Sequence, residues 1–275
     1  MSKKKGQFFI QTWHGDRPLK KILYEIDGFN HYVADKDITD LCIAGSDSGE
    51  KQFRSSFRFN GEIMKVGTPR NDRLVKDDYE YSMEIKQILG IDKEKKILLY
   101  APTFRDSQKS KQNVNVDLES TLEHLSKKGD KWICLVRAHS ASMGLMITCD
   151  NFRYFDVTSY PDMTDLLCIA DMLITDYSSC AGDFIVRKKP VILALFDKDY
   201  YRSNCRGFAY DIEKTGFLIA ENQEELNKII DTYSKDDYKQ NCEIVAKFFG
   251  VFESGQASEK VCRRINSEYE LKCTK

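Results

Sequence analysis

A histidine in a short polar turn is the first side chain of this sequence suited to exchanging protons with a ligand. Trp13, His14 and Gly15 lie just after the predicted strand over residues 7–11, and the cations Arg17, Lys20 and Lys21 follow within seven residues of His14. Imidazole titrates near neutral pH, and the nearby cations attract negative charge. The turn therefore indicates a site where an anionic ligand meets a titratable ring.

A second histidine has a similar setting later in the chain. His139 follows Arg137 by two residues, so both side chains of an extended segment would project to one face. Ser178 and Ser179 follow another apolar run, where a helix would begin with free backbone N–H groups. Cations, hydroxyls and N–H groups are the partners that a phosphate needs.

These groups belong to five predicted strand ends that share one polar chemistry. In doubly wound sheets, ligands bind beyond the carboxyl ends of the strands, where turns lead into helices. The five ends are therefore expected to meet around one anionic ligand. The candidate residues are Trp13, His14, Gly15 and Arg17, then Arg70, then Pro102, Thr103 and Arg105, then Arg137 and His139, and finally Asp176, Ser178, Ser179 and Asp183.

Each candidate also has a purely structural interpretation. Ser178 and Ser179 alone would be a helix cap, and Arg70 alone would be a surface ion pair. His31 lies in a polar stretch and His124 within a helical stretch, so both receive only the structural interpretation. The coincidence of five such strand ends in one chain favours a ligand site.

Several other functions lack support in the sequence. A net charge of -1 gives no general attraction to nucleic acid or anionic lipid. The chain contains neither the P-loop nor the G-x-G-x-x-G pattern, and no H-E-x-x-H or carboxylate cluster indicates a metal. Nine cysteines form no C-x-x-C pair, which favours free thiols in a reducing cytoplasm. No stretch is apolar and long enough to span a bilayer, and no export signal is expected.

Short apolar runs alternate with helical stretches, which predicts an α/β fold with parallel sheets. A charged segment near residue 78 indicates a junction between two Rossmann-like lobes, residues 1–78 and 79–275. Three strands are few for a whole lobe, so the first is expected to be incomplete and covered by a second copy or a partner chain. The predicted strands are 7–11, 41–44, 63–66, 96–100, 132–137, 153–156, 172–175, 191–195 and 216–220. The predicted helices are 79–89, 116–127, 163–169, 223–233 and 238–248.

Six sequence blocks together resemble the CDP-glycerol glycerophosphotransferase family, whose members build teichoic acids and related capsule polymers. The blocks are QTWHG, GTPRND, YAPTFRD, R-x-H, ITDYSS-x(3)-DF and RGF, in the family's order, from about residue 6 to residue 211. The resemblance implies a two-domain GT-B architecture with the active site in the cleft. It also implies transfer of glycerol phosphate from CDP-glycerol to a polymer hydroxyl, with release of CMP and without a cofactor.

The resemblance also implies residue roles. His14 and His139 match the family's functional histidines, and His14 is expected to be the base that activates the acceptor hydroxyl. Arg137 and His139, with the hydroxyl and N–H groups of Ser178 and Ser179, would stabilise the charge on the leaving CMP.

The same blocks imply which residues bind the donor, CDP-glycerol. Asp183 is expected to hold the ribose hydroxyls, while Pro102 and Thr103 would cover the cytosine. The remaining residues expected to bind substrate are Trp13, Gly15, Arg17, Arg70, Arg105, Asp176 and Arg206.

The sequence departs from the family pattern at two motifs, and the first departure leaves the substrate open. Asp16, Arg17 and Pro18 stand where the family usually has Thr-Pro, and Ser140 stands where it often has Pro. A donor such as CDP-ribitol is therefore the main alternative. The blocks are also compatible with a non-catalytic CDP-binding subunit and with a sugar transferase of GT-B type. Family membership implies a cytoplasmic protein attached to the inner face of the cell membrane.

Overall fold

The computed structural model describes residues 3–103, 116–138 and 153–273, and within these ranges the strands form two parallel sheets. The first sheet has the order β1 (Ile10–Gln11), β2 (Leu41–Ala44), β3 (Glu62–Lys65). The second contains β4 (Lys96–Ala101), β5 (Trp132–Val136), β6 (Tyr154–Asp156), β7 (Met172–Thr175), β8 (Val191–Ala194) and β9 (Leu218–Ala220). Its order is β6-β5-β4-β7-β8-β9. The predicted α/β fold with parallel sheets is confirmed.

The second sheet is buried on both faces. Ile97 and Leu99 of β4 point into one apolar cluster, whereas Leu98 points into the other. Strand order reverses between β4 and β7, so the connections leave these two strands in opposite directions and open a crevice at their carboxyl ends. Such a switch point is the usual place for a ligand in this class of fold.

Helices connect the strands and cover both sheets. Polar capping residues start several of them: Ser46 accepts from the N–H of Gly49, and Ser234 forms a reciprocal capping box with Asp237. The helices are α1 (Asp35–Ile38), α2 (Asp47–Ser55), α3 (Asp72–Lys76), α4 (Tyr79–Ile88), α5 (Leu118–Ser126), α6 (Met163–Ile169), α7 (Cys180–Phe184), α8 (Lys198–Asn204), α9 (Gln223–Thr232), α10 (Lys235–Phe249) and α11 (Ala257–Cys273).

Every predicted strand and helix has a counterpart in the structure. The element ends differ by a few residues, and the first predicted strand, 7–11, pairs with its neighbour only over Ile10–Gln11. The sequence patterns missed α1, α2, α8 and α11.

The end of the chain returns to the first sheet. Val261 of α11 packs in a cluster with Leu41 and Ile43 of β2. The carboxylate of Asp72 accepts hydrogen bonds from the N–H groups of Ala257 (2.9 Å) and Ser258 (2.7 Å) at the start of α11. All strands of the first sheet precede residue 79 and those of the second follow it, while the division into domains at that residue stays a prediction.

Three further properties concern the described ranges only. None of their helices combines the length and apolar character that crossing a membrane requires. They contain no group of three or more histidine, cysteine or acidic side chains placed to hold a metal ion. Seven cysteines are free thiols, and five of these are buried.

Candidate functional site

A cavity of about 610 Å³ opens where the turns of the first sheet face the carboxyl ends of β4, β5 and β7. Its volume suits a small organic ligand. All five predicted strand ends contribute to its wall, so the structure brings them together as expected. The predicted residues that line the cavity are His14, Arg70, Pro102, Thr103, Arg137, Ser178, Ser179 and Asp183.

The other predicted residues lie elsewhere. Some stand behind the wall of the cavity and hold its parts in place, as described below, and these are Trp13, Gly15, Arg17 and Asp176, whereas Arg206 is exposed and does not line the cavity. Two more predicted residues, Arg105 and His139, lie outside the residues that the structure describes.

The turn that carries His14 is held from both lobes. Trp13 has a φ of 51°, in the left-handed region that a tryptophan seldom adopts. The guanidinium of Arg70 donates to the Trp13 carbonyl at 3.1 Å, and the Ser179 hydroxyl donates to the His14 carbonyl at 3.4 Å. A Cβ on Gly15 would lie 3.3 Å from the indole nitrogen, so glycine lets the turn pack tightly. These contacts fix the direction of the imidazole.

The His14 ring is exposed to the cavity and is electronically suited to accept a proton. Its centroid lies 4.0 Å from that of Trp13. Partial burial, then the positive charges of Arg70 and Lys20, lower the pKa of His14, and the carboxylate of Asp183 offsets this only in part. The ring is therefore neutral at physiological pH.

A buried charge network lies behind the cavity, and we call it the inner layer: Asp16, Arg17, Asn71, Asp183 and Glu253. Arg17 has no exposed side-chain area; its Nη1 donates to Asp183 Oδ1 at 3.1 Å and its Nη2 donates to Glu253. The Asn71 amide donates to both carboxylates at 3.0 Å. Burial alone would lower the pKa of Arg17, but the three neighbouring carboxylates together raise it. The inner layer thus joins the two lobes through paired charges.

Arg70 connects this inner layer to the wall of the cavity. Its Nε donates to Asp183 Oδ2 at 3.1 Å and its Nη2 to Asp183 Oδ1 at 3.0 Å, a bidentate pair that fixes the guanidinium plane. The remaining Nη1 holds the Trp13 carbonyl. Asp183 therefore positions Arg70, which in turn positions the histidine turn.

Four of the residues that line the cavity form what we call the outer layer: His14, Arg137, Ser178 and Ser179. Arg137 is half-buried at the end of β5, and its Nη1 has no hydrogen-bond acceptor among the described residues. Burial lowers the pKa of Arg137, and Asp162 opposes the change. Ser178 and Ser179 precede α7 with their hydroxyls beside the cavity. These groups can donate to an oxyanion such as phosphate.

Asp176 ties together the ends of β4 and β7. It is buried, and its Oδ1 accepts from the Thr103 N–H at 2.9 Å, from the Thr103 hydroxyl and from the Tyr177 N–H at 2.6 Å. The carboxylate is thus engaged in shaping the cavity floor, and its predicted contact with substrate stays a prediction.

The RGF block pairs with the segment that follows the histidine turn. The Gly207 carbonyl accepts from the Lys21 N–H at 3.2 Å, and Lys20 forms an antiparallel bridge with Phe208. Arg206 itself is exposed. The block therefore contributes a contact between the lobes, and a role of Arg206 in binding substrate stays a prediction.

The sequence interpretation did not predict Asn71, Glu253 or Asp162 as site residues, and it named Asp16 only as a departure from the family pattern. Asn71 lies within the block GTPRND and bonds Asp183, while Glu253 comes 70 residues after Asp183 in no recognisable motif. Asp162 lines the cavity at the start of α6. Only Asn71 had a local signal, because it stands beside Arg70 in the turn.

The family model and two relatives that match this chain are all described as glycerol-phosphate transferases or polymerases. Residues 1–267 match the family model described as CDP-glycerol:poly(glycerophosphate) glycerophosphotransferase. The chain is 34% identical, over 96% of its length and 71% of the relative's, to the teichoic acid poly(glycerol phosphate) polymerase of Bacillus spizizenii. It is 35% identical, over 94% and 70%, to the teichoic acid glycerol-phosphate transferase of Staphylococcus aureus.

Solved structures of the wall teichoic acid polymerase TagF superpose on most of the chain. One variant has a TM-score of 0.83 at 27% identity and covers 99% of this chain, which covers 71% of that one. Another, soaked with CDPG, has a TM-score of 0.83 at 28% identity with the same coverage. The match confirms the predicted GT-B-like architecture. Both the motifs around the cavity and these comparisons show that the chain belongs to the CDP-glycerol:poly(glycerophosphate) glycerophosphotransferase family.

Proposed function

We propose that this protein transfers glycerol phosphate from CDP-glycerol to a hydroxyl of a teichoic acid or capsule-type polymer and releases CMP. The observation that carries the proposal is the outer layer, in which a neutral imidazole and an arginine with an unused donor open into one cavity. Family membership supports the same chemistry.

The reaction assigns one task to each side of the cavity. The acceptor hydroxyl attacks the β-phosphorus of CDP-glycerol, and its proton passes to the neutral ring of His14. A new phosphorus–oxygen bond forms while the bond between the two phosphates breaks, and CMP leaves with the electron pair. Arg137, the hydroxyl of Ser178 and the backbone N–H groups of Ser178 and Ser179 then stabilise the negative charge that grows on the CMP phosphate. His139 is proposed as the second functional histidine from the family motif alone.

Asp183 acts in this proposal as a positioning residue. Its two oxygens accept from Arg17, Arg70 and Asn71, which leaves little capacity for the ribose hydroxyls that the sequence motif assigned to it. Pro102 lines the cavity at the end of β4, in a place where it can contact the cytosine ring.

Glycerol is favoured over ribitol by the relatives. Two of the glycerol-phosphate relatives are 34% and 35% identical, whereas the ribitol-phosphate polymerase TarL of Staphylococcus aureus is 27% identical over 95% of the chain. The test is CMP release from CDP-glycerol and, separately, from CDP-ribitol, each with a glycerol phosphate primer. Faster CMP release from CDP-ribitol would identify CDP-ribitol as the donor. CDP binding without any CMP release would indicate a non-catalytic subunit.

Two properties of the working protein follow from the same proposal. The donor is a cytoplasmic nucleotide, so we place the protein in the cytoplasm, attached peripherally to the membrane that carries its acceptor. In the described part of the chain, the two outer strands of the three-stranded first sheet each have one neighbouring strand, and we infer that a second copy or a partner chain covers their outer sides. Membrane fractionation and light scattering test these two statements directly.

A further inference from the structure

A second cavity, of about 390 Å³, lies at the amino-terminal ends of β4, β7 and β8 in the second sheet. We call it the basal recess. Six cationic residues line it against three acidic ones, a formal excess of three positive charges. The cations are Lys86, Lys93, Lys95, Lys96, Arg187 and Lys189, and the acids are Asp77, Glu94 and Asp171.

Arg187 is the buried centre of the basal recess. Only 3% of its side chain is exposed, and its Nη2 pairs with Asp77 Oδ1 at 2.6 Å. Its Nε and Nη1 have no hydrogen-bond acceptor among the residues that the structure describes. A buried guanidinium with unused donors is costly, and an oxyanion in the cavity would satisfy both.

Lys86 is held in place without being neutralised. Its Nζ donates to the backbone carbonyls of Lys93 and Lys95, both at 3.0 Å, and these acceptors carry no charge. Burial, the largest cause, lowers the pKa of Lys86, and Lys96 contributes to the same change. The carboxylates of Asp171, Glu94 and Asp92 oppose this change, and among the described residues no carboxylate pairs directly with the ammonium group.

Asp171 is shared by two ammonium groups on the same wall. Lys96 and Lys189 each approach its Oδ1 at 3.4 Å. Burial and then the charge of Arg187 lower the pKa of Lys189. One carboxylate therefore faces several cations that repel one another, and a bound anion would relieve this repulsion.

We propose that the basal recess binds the phosphate group of a small phosphate ester, with Arg187 as the donor at its base and Lys86, Lys96 and Lys189 around it. The planar fork of Arg187 suits a phosphate, and the recess has room for one such group with a few carbon atoms. It also adjoins a cavity of about 530 Å³ that shares Lys96, Asp171 and Lys189 and could hold the organic part.

A lipid surface fits this recess less well. A side chain as buried as Arg187 lies too deep for a headgroup that stays in the plane of a membrane, whereas a free phosphate ester can enter. The basal recess lies at the amino-terminal ends of the strands and the cleft lies at their carboxyl ends. The inference therefore does not depend on the proposed transfer reaction.

Site-resolved acetylation of lysines tests the proposal on the full chain. Labelling is followed by mass spectrometry in inorganic phosphate, in glycerol 3-phosphate, and in chloride of equal ionic strength. At a phosphate concentration of twice the Kd, we expect labelling of Lys86, Lys96 and Lys189 to slow by about threefold, the factor 1 + [L]/Kd. Lys228, which is exposed on α9, reports general effects of the anion and should label at one rate throughout.

Two variants and one further labelling experiment, with phosphatidylglycerol vesicles, decide the outcome. Arg187→Gln should abolish the protection, while Lys228→Gln, with the same charge change, should retain it. If Arg187→Gln fails to fold, the rim variant Lys93→Gln/Lys95→Gln takes its place and should weaken the protection of Lys96. Equal labelling in phosphate and chloride, or unchanged protection in Arg187→Gln, would overturn the proposal. Protection by phosphatidylglycerol vesicles but not by phosphate would overturn it too and assign the recess to a membrane.

Discussion

The inner and outer layers of the cleft place arginines in opposite circumstances. Arg17 is fully buried; its Nη1 and Nη2 donate to the Gly182 carbonyl and the carboxylates of Asp183 and Glu253, while its Nε has no acceptor among the described residues. Arg137 is half-buried, yet its Nη1 meets no acceptor in the described part of the chain. The protein supplies carboxylate and carbonyl acceptors for both Nη atoms of Arg17, whereas Nη1 of Arg137 remains for a ligand.

This difference separates structure from chemistry within one site. The carboxylates of the inner layer orient Arg70, which holds the histidine turn, so the layer acts on geometry. The outer layer surrounds the space where substrate would react. Changes in the inner layer should therefore appear mainly as lost stability, and changes in the outer layer as lost turnover or binding.

His14→Ala should give the largest effect, a loss of CMP release of about 10²–10⁴-fold, because a positioned general base is removed. The ring is exposed, so the free energy of unfolding should change by less than about 0.5 kcal/mol. His31→Ala is the matched control, since His31 is also exposed and lies outside the cavity wall. Near-full release by His14→Ala would remove the assigned base.

Arg17→Met should lower the free energy of unfolding by about 3–5 kcal/mol, because it leaves buried carboxylates without their cation. Denaturant titration measures the change. Arg263→Met, at an exposed pair with Glu259 on α11, should cost less than about 1 kcal/mol. Equal small costs for both variants would show that the inner layer does not join the lobes.

The sequence predicted most of the fold because buried parallel strands are short apolar runs between polar turns. The strands Leu41–Ala44 and Met172–Thr175 appear at their predicted bounds. Helix α11 was missed for a physical reason. Its side chains are mostly exposed, and Val261 is its contact with the core of the first sheet, so its apolar periodicity is weak.

The sequence predicted the members of the site better than their partners. Strand ends carry local signals, and eight of the predicted residues do line one cavity. The inner layer depends on pairs such as Arg17 with Asp183 and Glu253, which are 166 and 236 positions apart. No local pattern encodes such pairing. Arg17 was therefore predicted as a substrate ligand, whereas its donors contact the protein, and that predicted role stays untested.

Arg137→Gln tests whether the outer layer binds the ligand. Losing a charged donor to phosphate should weaken CDP binding by about 1.5–3 kcal/mol, or about 10–150-fold, as measured by calorimetry. Stability should hardly change, because the lost Nη1 has no acceptor among the described residues. Arg153→Gln, at a partly exposed pair with Glu119, should bind CDP normally. Unchanged affinity in Arg137→Gln would place the donor phosphates elsewhere.

The smallest expected effect concerns the pH dependence of His14. The ring accepts a proton only when neutral, so CMP release should fall as the pH drops through its pKa, which partial burial, Arg70 and Lys20 hold below 6.5. Lys20→Gln removes one of these positive charges and raises that pKa. The acid limb of the rate profile should then move to higher pH, by less than about one unit, with equal rates at alkaline pH. Lys21→Gln makes the same charge change one residue later, but Lys21 is not among the charges that shift His14, so its acid limb should stay in place. A shift to lower pH in Lys20→Gln, or equal shifts in both variants, would mean that the titrating base is not His14.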